Sequence, residues 1–258
     1  MFRIFFLFTV ISSILFSHTP YLANNIFLLP TIDAIPKKIH QIWVGKNPIP
    51  KSYQEYMKSW LIIHPHWEYK LWTDADIDNF PWINKDLFLK AKNPGMKSDI
   101  WRYEIINLYG GLYVDTDMEA IRSLESIHDK LEFYAGYFSG DCIACGIFAS
   151  KPNSPILQSV IEGLRKSTKN FNFDLFDFNR LIDATGPQYF TRMINAILPN
   201  LDKSVNVIFE KPYFQPVEVK NKGIPKTAQE FYNISSICFA IDYNGCSWDE
   251  RIFDQLYE

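Results

Sequence analysis

Apolar and polar residues alternate along several short stretches of the chain, and a period of two predicts β-strands. Residues 38–44 and 67–72 show this alternation most clearly. Residues 112–114 are instead apolar throughout, so this strand is expected to be buried on both faces. Four later stretches complete the set, at residues 132–139, 142–150, 205–210 and 237–243, with a turn at Gly140-Asp141 between the first two.

Helical spacing of apolar residues fills the intervals between these strands. Pro50, Pro155 and Pro187 mark helix starts, and Gly110-Gly111 marks a helix end. On the helix before Gly110, one apolar stripe is expected, formed by Ile100, Tyr103, Ile106 and either Leu108 or Tyr109. The predicted helices are residues 50–63, 86–92, 96–109, 155–166 and 188–198, with a short one capped by Thr73 and Asp74. Strands interleaved with helices predict an α/β protein.

Composition narrows the class of protein. The 258 residues suffice for one sizeable domain with a full core. The net charge of −3 carries no basic excess, which argues against nucleic acid as a partner. Aromatic residues make up 16% of the chain, and a large aromatic core is the simplest reason for them.

The N-terminus is a separate apolar segment. Residues 2–16 are nearly all apolar, which is short for a membrane span and typical of a signal-peptide core. We therefore expect a signal peptide or signal-anchor at residues 1–18, a linker at 19–35 and a single domain at 36–258. A signal of this kind would place that domain in the secretory pathway, on the lumenal or extracytoplasmic side of a membrane. The alternative is an N-terminal helix packed on the domain.

Two carboxylates follow the short apolar strand, in the sequence Asp115-Thr116-Asp117. The carboxyl end of a strand is where open α/β sheets bind ligands. Paired carboxylates there need a compensating charge, and a hard divalent cation that bridges phosphate oxygens supplies it. The alternative is a solvated turn with one helix-capping aspartate.

Asp99 and Arg102 lie three residues apart on the preceding helix, so their side chains share one face. Read alone, they could be a surface ion pair that contributes less than about 1 kcal/mol.

In combination, these residues resemble a known family. Ser98-Asp99-x-x-Arg102 followed by Gly110-Gly111-x-Tyr113-x-Asp115-x-Asp117 resembles the nucleotide-sugar site of glycosyltransferase family 32. That family includes the yeast Golgi initiating mannosyltransferases, and the segment is also similar to that of the clostridial glucosylating toxins. The resemblance implies a GT-A type, Rossmann-like nucleotide-sugar-binding fold with a mixed central sheet.

The resemblance also implies roles for the motif residues. Asp115 and Asp117 would hold Mn²⁺ or Mg²⁺, with Asp117 the more direct ligand and Asp115 also contacting the ribose or the sugar. Asp99 would accept hydrogen bonds from donor hydroxyls, and Arg102 would steady the sugar and the charge near the phosphates. Residues 39–45 resemble the first strand of the family, in which Trp43 would stack on the nucleobase; a plain core tryptophan is the alternative.

The C-terminal stretch 242–248 resembles the closing segment of the family. Asp242 stands where histidine is usual, and an aspartate can ligate the same hard cation, so it is a third candidate metal ligand; capping a turn is the alternative. Ser247 and Trp248 would close over the diphosphate. The predicted catalytic set is thus Asp99, Arg102, Asp117 and Trp248.

The resemblance, together with the motif residues, implies that the protein is a metal-dependent glycosyltransferase. It would move a hexose or N-acetylhexosamine from a UDP- or GDP-sugar to a hydroxyl of a carbohydrate or glycolipid acceptor, with retention of configuration. The alternatives are a non-catalytic sugar-nucleotide-binding protein and an effector that glycosylates host proteins. A haloacid-dehalogenase phosphatase also begins with Asp-x-Asp, but it needs threonine or valine where this chain has Glu119.

Overall fold

The computed structural model describes residues 34–174, 177–215 and 236–243. The predicted N-terminal segment 1–18 lies outside the described residues, as does nearly all of the predicted linker. Among the helices that are described, none has the length and apolar character needed to cross a membrane.

A six-stranded mixed sheet forms the centre of the described domain. Its strand order is β2-β1-β3-β6-β5-β7, and a separate two-stranded sheet pairs β4 with β8. The β1–β2, β1–β3 and β5–β7 pairs are parallel, whereas β6 runs antiparallel to β3 and β5. The strands are β1 Lys38–Ile42, β2 Glu68–Trp72, β3 Gly111–Val114, β4 Met118–Ala120, β5 Phe133–Ser139, β6 Cys142–Ser150, β7 Asn206–Phe209 and β8 Ala240–Asp242.

The five longer predicted helices are present, and the short helix predicted after Thr73 and Asp74 is a single 3₁₀ turn. Two short helices, α4 and α6, and strand β4 escape the sequence patterns because each spans only a few residues. The predicted strand at 237–243 shortens to β8, which pairs with β4 and not with the central sheet. The helices are α1 Lys51–Ile63, α2 Lys85–Lys90, α3 Pro94–Tyr109, α4 Glu125–His128, α5 Pro155–Ser167, α6 Phe178–Ala184 and α7 Pro187–Ile197, with single 3₁₀ turns at Asp74–Asp76, Leu198–Asn200 and Lys211–Tyr213.

Helix α3 is buried on almost every side, so the expectation of one apolar stripe is wrong. It contacts the sheet through β1, β3 and β6 and is covered by α2 and α5. Its polar residues are therefore buried as well, and Glu104 receives backbone N–H groups from Ile83 and Asn84 at 2.8 and 2.7 Å. Leu108 and Tyr109, which were expected to extend the stripe, are exposed.

The turn from α3 into β3 requires glycine. Gly110 has φ +63° and Gly111 has φ +101°, in the left-handed region that other residues rarely adopt. A β-carbon on Gly111 would lie 2.6 Å from the carbonyl oxygen of Lys38, so this strand approaches β1 closely. All four residues of β3 are buried, as predicted, and the strand delivers Asp115 at its carboxyl end beside the end of β1.

Candidate active site

Two adjoining cavities lie where β1 and β3 end. The larger has a volume of about 430 Å³, and the smaller has a volume of about 170 Å³. Gly95, Arg102, Asp115 and Asp117 line both cavities, so they form the boundary between them. Trp43 lines only the larger cavity, and Asp99 and Asp242 line only the smaller one.

Arg102 is buried between two carboxylates. Its Nη2 lies 3.3 Å from Asp99 Oδ1 and 3.3 Å from Asp115 Oδ1. Its Nε donates to the carbonyl of Ser98 at 3.1 Å, and its Nη1 donates to the carbonyl of Cys145 at 2.9 Å. The side chains of Arg102 and Asp99 are only 6% and 7% exposed, so the surface-pair alternative is wrong. A buried charge that loses its partner is strongly destabilising, so these groups hold one another in place.

Asp99 is held from its other side by Thr185. The Thr185 hydroxyl, fully buried just after α6, donates to Asp99 Oδ2 at 2.9 Å. Burial raises the pKa of Asp99 to about 6, while Arg102 and the Thr185 hydrogen bond act in the opposite direction. Asp99 is therefore an oriented acceptor at the floor of the smaller cavity.

Asp115 is oriented by three neighbours. Tyr113 donates its hydroxyl to Asp115 Oδ1 at 2.6 Å, and Gln41 donates its side-chain amide to the Asp115 carbonyl at 3.2 Å. The Arg102 guanidinium lies over the Tyr113 ring, 4.6 Å from the centroid, which adds a cation–π contact. Asp115 is thus fixed by an arginine and a tyrosine, and the solvated-turn alternative does not describe it.

Asp117 and Asp242 come together through the small sheet. Met118 pairs with Asp242 in the β4–β8 ladder, and the Tyr243 N–H donates to the Asp117 carbonyl at 3.1 Å. Both aspartates line the smaller cavity. Within the described part of the chain, no three His, Cys, Asp or Glu side chains are grouped so as to hold a metal ion. Two or three carboxylates that face a cavity still fit a hard divalent cation such as Mg²⁺, which often takes one or two protein carboxylates and completes its shell with ligand oxygens and water.

Trp43 is half-buried at the wall of the larger cavity, and it does not belong to the buried core. Its Nε1 donates to the carbonyl of Asn47 at 2.7 Å, and its ring packs edge-on against Tyr53 at 6.1 Å. Because Trp43 is only half-buried and lines the cavity, the alternative of a plain core tryptophan does not describe it.

Several residues of the site had no signal in the sequence. Lys46 and Lys92 line the larger cavity, and Cys145 contacts the arginine, but nothing in their local patterns marks them. Gly146, a glycine inside strand β6, did carry a signal, because glycine in a strand often marks a close approach. Ser247 and Trp248, predicted at the diphosphate, lie outside the described residues.

Comparison with known proteins agrees with this geometry. Residues 50–134 match the family described as the glycosyltransferase sugar-binding region containing the DXD motif. Within these residues, the chain is similar to the sugar-binding region of the DXD-motif glycosyltransferases. The matched region contains Asp99, Arg102, Asp115 and Asp117 and ends within β5.

The proteins to which this chain is similar include viral and yeast proteins. The chain is 26% identical to an uncharacterized glycosyltransferase of Acanthamoeba polyphaga mimivirus, over 83% of this chain and 84% of that protein. It is 29% identical to a mannosyl phosphorylinositol ceramide synthase of Saccharomyces cerevisiae, over 64% of this chain and 44% of that protein. It is 30% identical to an inositol phosphoceramide mannosyltransferase of Schizosaccharomyces pombe, over 63% and 46% of the two chains. The chain thus spans about half the length of these yeast relatives.

Among solved structures, the PaToxG glycosyltransferase has a similar fold. It superposes with a TM-score of 0.50 at 18% identity, over 67% of this chain and 73% of that one. The predicted GT-A type fold with a mixed central sheet is confirmed.

Proposed function

We propose that this DXD glycosyltransferase transfers a hexose or N-acetylhexosamine from a nucleoside-diphosphate sugar to an acceptor hydroxyl, with retention of configuration and with a divalent metal. The observation that carries the proposal is Arg102, buried with Asp99 on one side and Asp115 on the other, at the boundary of two cavities. A fixed cation at such a boundary can stabilise negative charge that develops on a leaving phosphate.

The larger cavity suits the nucleoside diphosphate of a UDP- or GDP-sugar. Trp43 offers an aromatic edge or face to a base, and the ammonium groups of Lys46 and Lys92 suit phosphates. The smaller cavity, with Asp99 on its floor, suits the sugar. Cleavage of the donor would then occur at the boundary formed by Arg102 and Asp115.

Asp115, Asp117 and Asp242 would hold Mn²⁺ or Mg²⁺, and the ion would neutralise charge on the departing diphosphate. The guanidinium of Arg102 would stabilise the same negative charge on the departing diphosphate. Ser247 and Trp248 remain proposed diphosphate contacts, with Trp248 in the catalytic set.

For the chemical step we propose front-face transfer. The bond between the anomeric carbon and the diphosphate oxygen breaks while the acceptor oxygen bonds to the same face of that carbon. The acceptor proton passes to the departing phosphate oxygen, so no protein nucleophile is needed. Inversion of the product anomer, detected by NMR, would contradict this step.

The names of the yeast relatives favour mannose as the sugar and a glycolipid as the acceptor, which narrows the broader proposal. An acceptor of that kind also fits an N-terminal membrane signal at residues 1–18 and a lumenal or extracytoplasmic domain. Likeness to the PaToxG enzyme concerns the fold alone and does not favour a host-protein acceptor.

Donor hydrolysis by the full-length protein tests the proposal. UDP- and GDP-sugars would be screened with Mn²⁺, with and without chelator, beside an Asp115→Ala/Asp117→Ala double variant. We expect metal-dependent release of one nucleotide and its loss in the double variant. Metal-dependent nucleotide binding with neither hydrolysis nor transfer to any offered acceptor would favour a non-catalytic binding protein, and no binding would refute both.

A further inference from the structure

The smaller cavity has a polar floor and an apolar rim. Asp99, only 5% exposed, lies at the floor, whereas Phe178 at the start of α6 is 42% exposed. Phe138, near the end of β5, is half-buried and lines the same cavity. Two further apolar residues, Ile182 and Pro187, continue this side of the cavity.

The volume of the cavity limits what it can hold. At about 170 Å³ it has room for little more than one pyranose ring. If the transferred sugar occupies the floor beside Asp99, a second ring must sit farther out, against the rim. Among the described residues, the aromatic side chains that line this rim are Phe138 and Phe178.

The charges around the cavity differ from those of its neighbour. The smaller cavity is lined by four carboxylates, with Arg102 as its one cationic side chain among the described residues. The larger cavity adds Lys46 and Lys92. Even with a divalent cation bound, the four carboxylates would outnumber the positive charges of the ion and Arg102, so a phosphate group inside the smaller cavity would meet repulsion. The part of the acceptor that enters this cavity is therefore expected to be uncharged, and a phosphate elsewhere on the acceptor would have to lie outside it.

We propose that Phe138 and Phe178 form an acceptor platform, that is, an aromatic surface on which the acceptor lies; this inference rests on the proposed function. The acceptor at this platform is an uncharged polyhydroxylated ring, a sugar or a cyclitol, which lays its apolar C–H face on the aromatic rings. Aromatic ring faces are electron-rich and apolar, so they favour C–H groups that carry slight positive charge and disfavour anions. The ring hydroxyls stay directed toward the carboxylates and the reacting carbon.

The same segment of chain positions the platform and the catalytic floor. Asp177 caps α6 by accepting the Arg180 N–H at 3.2 Å, which sets Phe178 at the first helical position. The helix ends at Thr185, whose hydroxyl holds Asp99. The short helix α6 therefore sets the spacing between the platform and the floor.

The test compares Phe178→Ala, Phe178→Leu and Phe178→Tyr in the full-length protein. Neutral probes are methyl α-mannoside, methyl β-glucoside, methyl β-galactoside and myo-inositol; anionic probes are mannose 6-phosphate and inositol 1-phosphate. Binding is followed by saturation-transfer NMR in the presence of diamagnetic Mg²⁺ and nucleoside diphosphate, and transfer is followed with labelled donor.

We expect at least one neutral ring to bind and to act as acceptor. Phe178→Ala should raise the KM for that acceptor at least tenfold, Phe178→Tyr should keep it within twofold, and Phe178→Leu should resemble alanine because it lacks an aromatic face. The KM for donor, measured by hydrolysis without acceptor, should rise much less than the KM for acceptor, because the nucleoside diphosphate lies in the larger cavity, which Phe178 does not line.

Four results would overturn the inference, and donor hydrolysis by the wild type would still support the proposed function. Three of them are no binding by any neutral ring, stronger binding by the anionic probes, and an equal effect of Phe178→Ala on donor and acceptor. Octyl α-mannoside separates a lipid-linked acceptor from a free ring. If the acceptor KM depends equally on Phe178 for the octyl and methyl mannosides, the platform contacts the ring. If the KM depends on Phe178 for the octyl compound alone, the platform holds an alkyl chain, which is the fourth result that overturns the inference. Loss of donor hydrolysis in the wild type would instead refute the proposed function.

Discussion

Gly146 leaves the space that the carboxylate of Asp115 occupies. A β-carbon on Gly146 would lie 2.6 Å from Asp115 Oδ2, which is closer than real β-carbon contacts allow. Strand β6 pairs with β3 at this end of the sheet, and the Asp115 N–H donates to the Gly146 carbonyl at 2.8 Å. The two residues are thus fixed against each other by backbone, and only the side chain could move aside.

Gly146→Ala should therefore displace the Asp115 carboxylate from Arg102. We expect donor hydrolysis to fall at least tenfold, with a loss of unfolding free energy of about 1–3 kcal/mol from crowding. The measurement is kcat for hydrolysis together with urea denaturation.

Gly140→Ala is the matched control for that variant. Its φ of +55° makes alanine cost about 1–2 kcal/mol in backbone strain, similar in size to the crowding cost expected at Gly146, but the new β-carbon would meet nothing within 4 Å. Equal losses of activity in the two variants would show that the space beside Asp115 is unimportant.

Thr185→Val should change the pH dependence of the reaction. Only the ionised form of Asp99 accepts hydrogen bonds with both oxygens and pairs with the charge of Arg102, so its pKa of about 6 predicts that the rate falls as pH drops below 6. Valine removes the hydroxyl that favours the ionised form, so the pKa of Asp99 should rise and the acid limb should move up by about one pH unit. A pH–rate profile of donor hydrolysis checks this, and Thr185→Ser, which keeps the hydroxyl, should behave like the wild type. An unmoved acid limb in the valine variant would assign that limb to another group.

Lys92→Gln should weaken donor binding through charge alone. Lys92 is an exposed side chain at the larger cavity, so we expect the donor KM to rise about two- to fivefold at low salt with little change in kcat. The effect should shrink at high salt because exposed charges are screened. Lys90→Gln provides the control, since Lys90 lies 3.9 Å from Asp86 and does not line the cavity. A salt-independent effect, or an equal effect at Lys90, would speak against a phosphate contact.

The stability of the fold should decrease in mild acid because of His40. Trp72 donates its Nε1 hydrogen to His40 Nδ1 at 3.1 Å, so the imidazole proton lies on Nε2, which donates to the Gly110 carbonyl at 3.1 Å. A second proton on Nδ1 would face the Trp72 N–H. Burial lowers the pKa of His40 to about 4, and burial does the same for His128.

The sign of the pH effect follows from these values. Between about pH 6.5 and 4 the unfolded chain binds protons that the folded chain does not, so the free energy of unfolding should fall as the pH falls through this window. The slope is at most about 1.4 kcal/mol per pH unit for each histidine. Urea denaturation at several pH values measures it, and His40→Gln should reduce the slope even if it lowers stability at pH 7. An unchanged slope in that variant would exclude His40 as a source.

The strands, the long helices and the family motifs could be predicted from the sequence because each is a local pattern. Alternation marks β1 and β2, and the glycine pair marks the end of α3. The motif residues Asp99, Arg102, Asp115 and Asp117 converge at the two cavities as the predicted fold requires.

The rest depends on tertiary packing. Nothing local shows that α3 is enclosed by two helices and a sheet, so an amphipathic helix was expected where a buried one lies. Thr185 and Cys145 reach Asp99 from distant parts of the chain, which no spacing reveals. Phe178 lies on a helix too short to give a period, so its place at the cavity rim is visible only in three dimensions.

The pairing of β4 with β8 sets the order in which the site can be assembled. Tyr243 donates to Glu119 at 2.7 Å across a sequence separation of 124 residues, and Asp242 reaches the carboxylates through this same contact. Long loops close slowly, and a chain under synthesis cannot make the contact until residue 243 has left the ribosome. Asp99, Arg102 and Asp115 can meet earlier, so a nascent chain would acquire its arginine–carboxylate core before its last carboxylate.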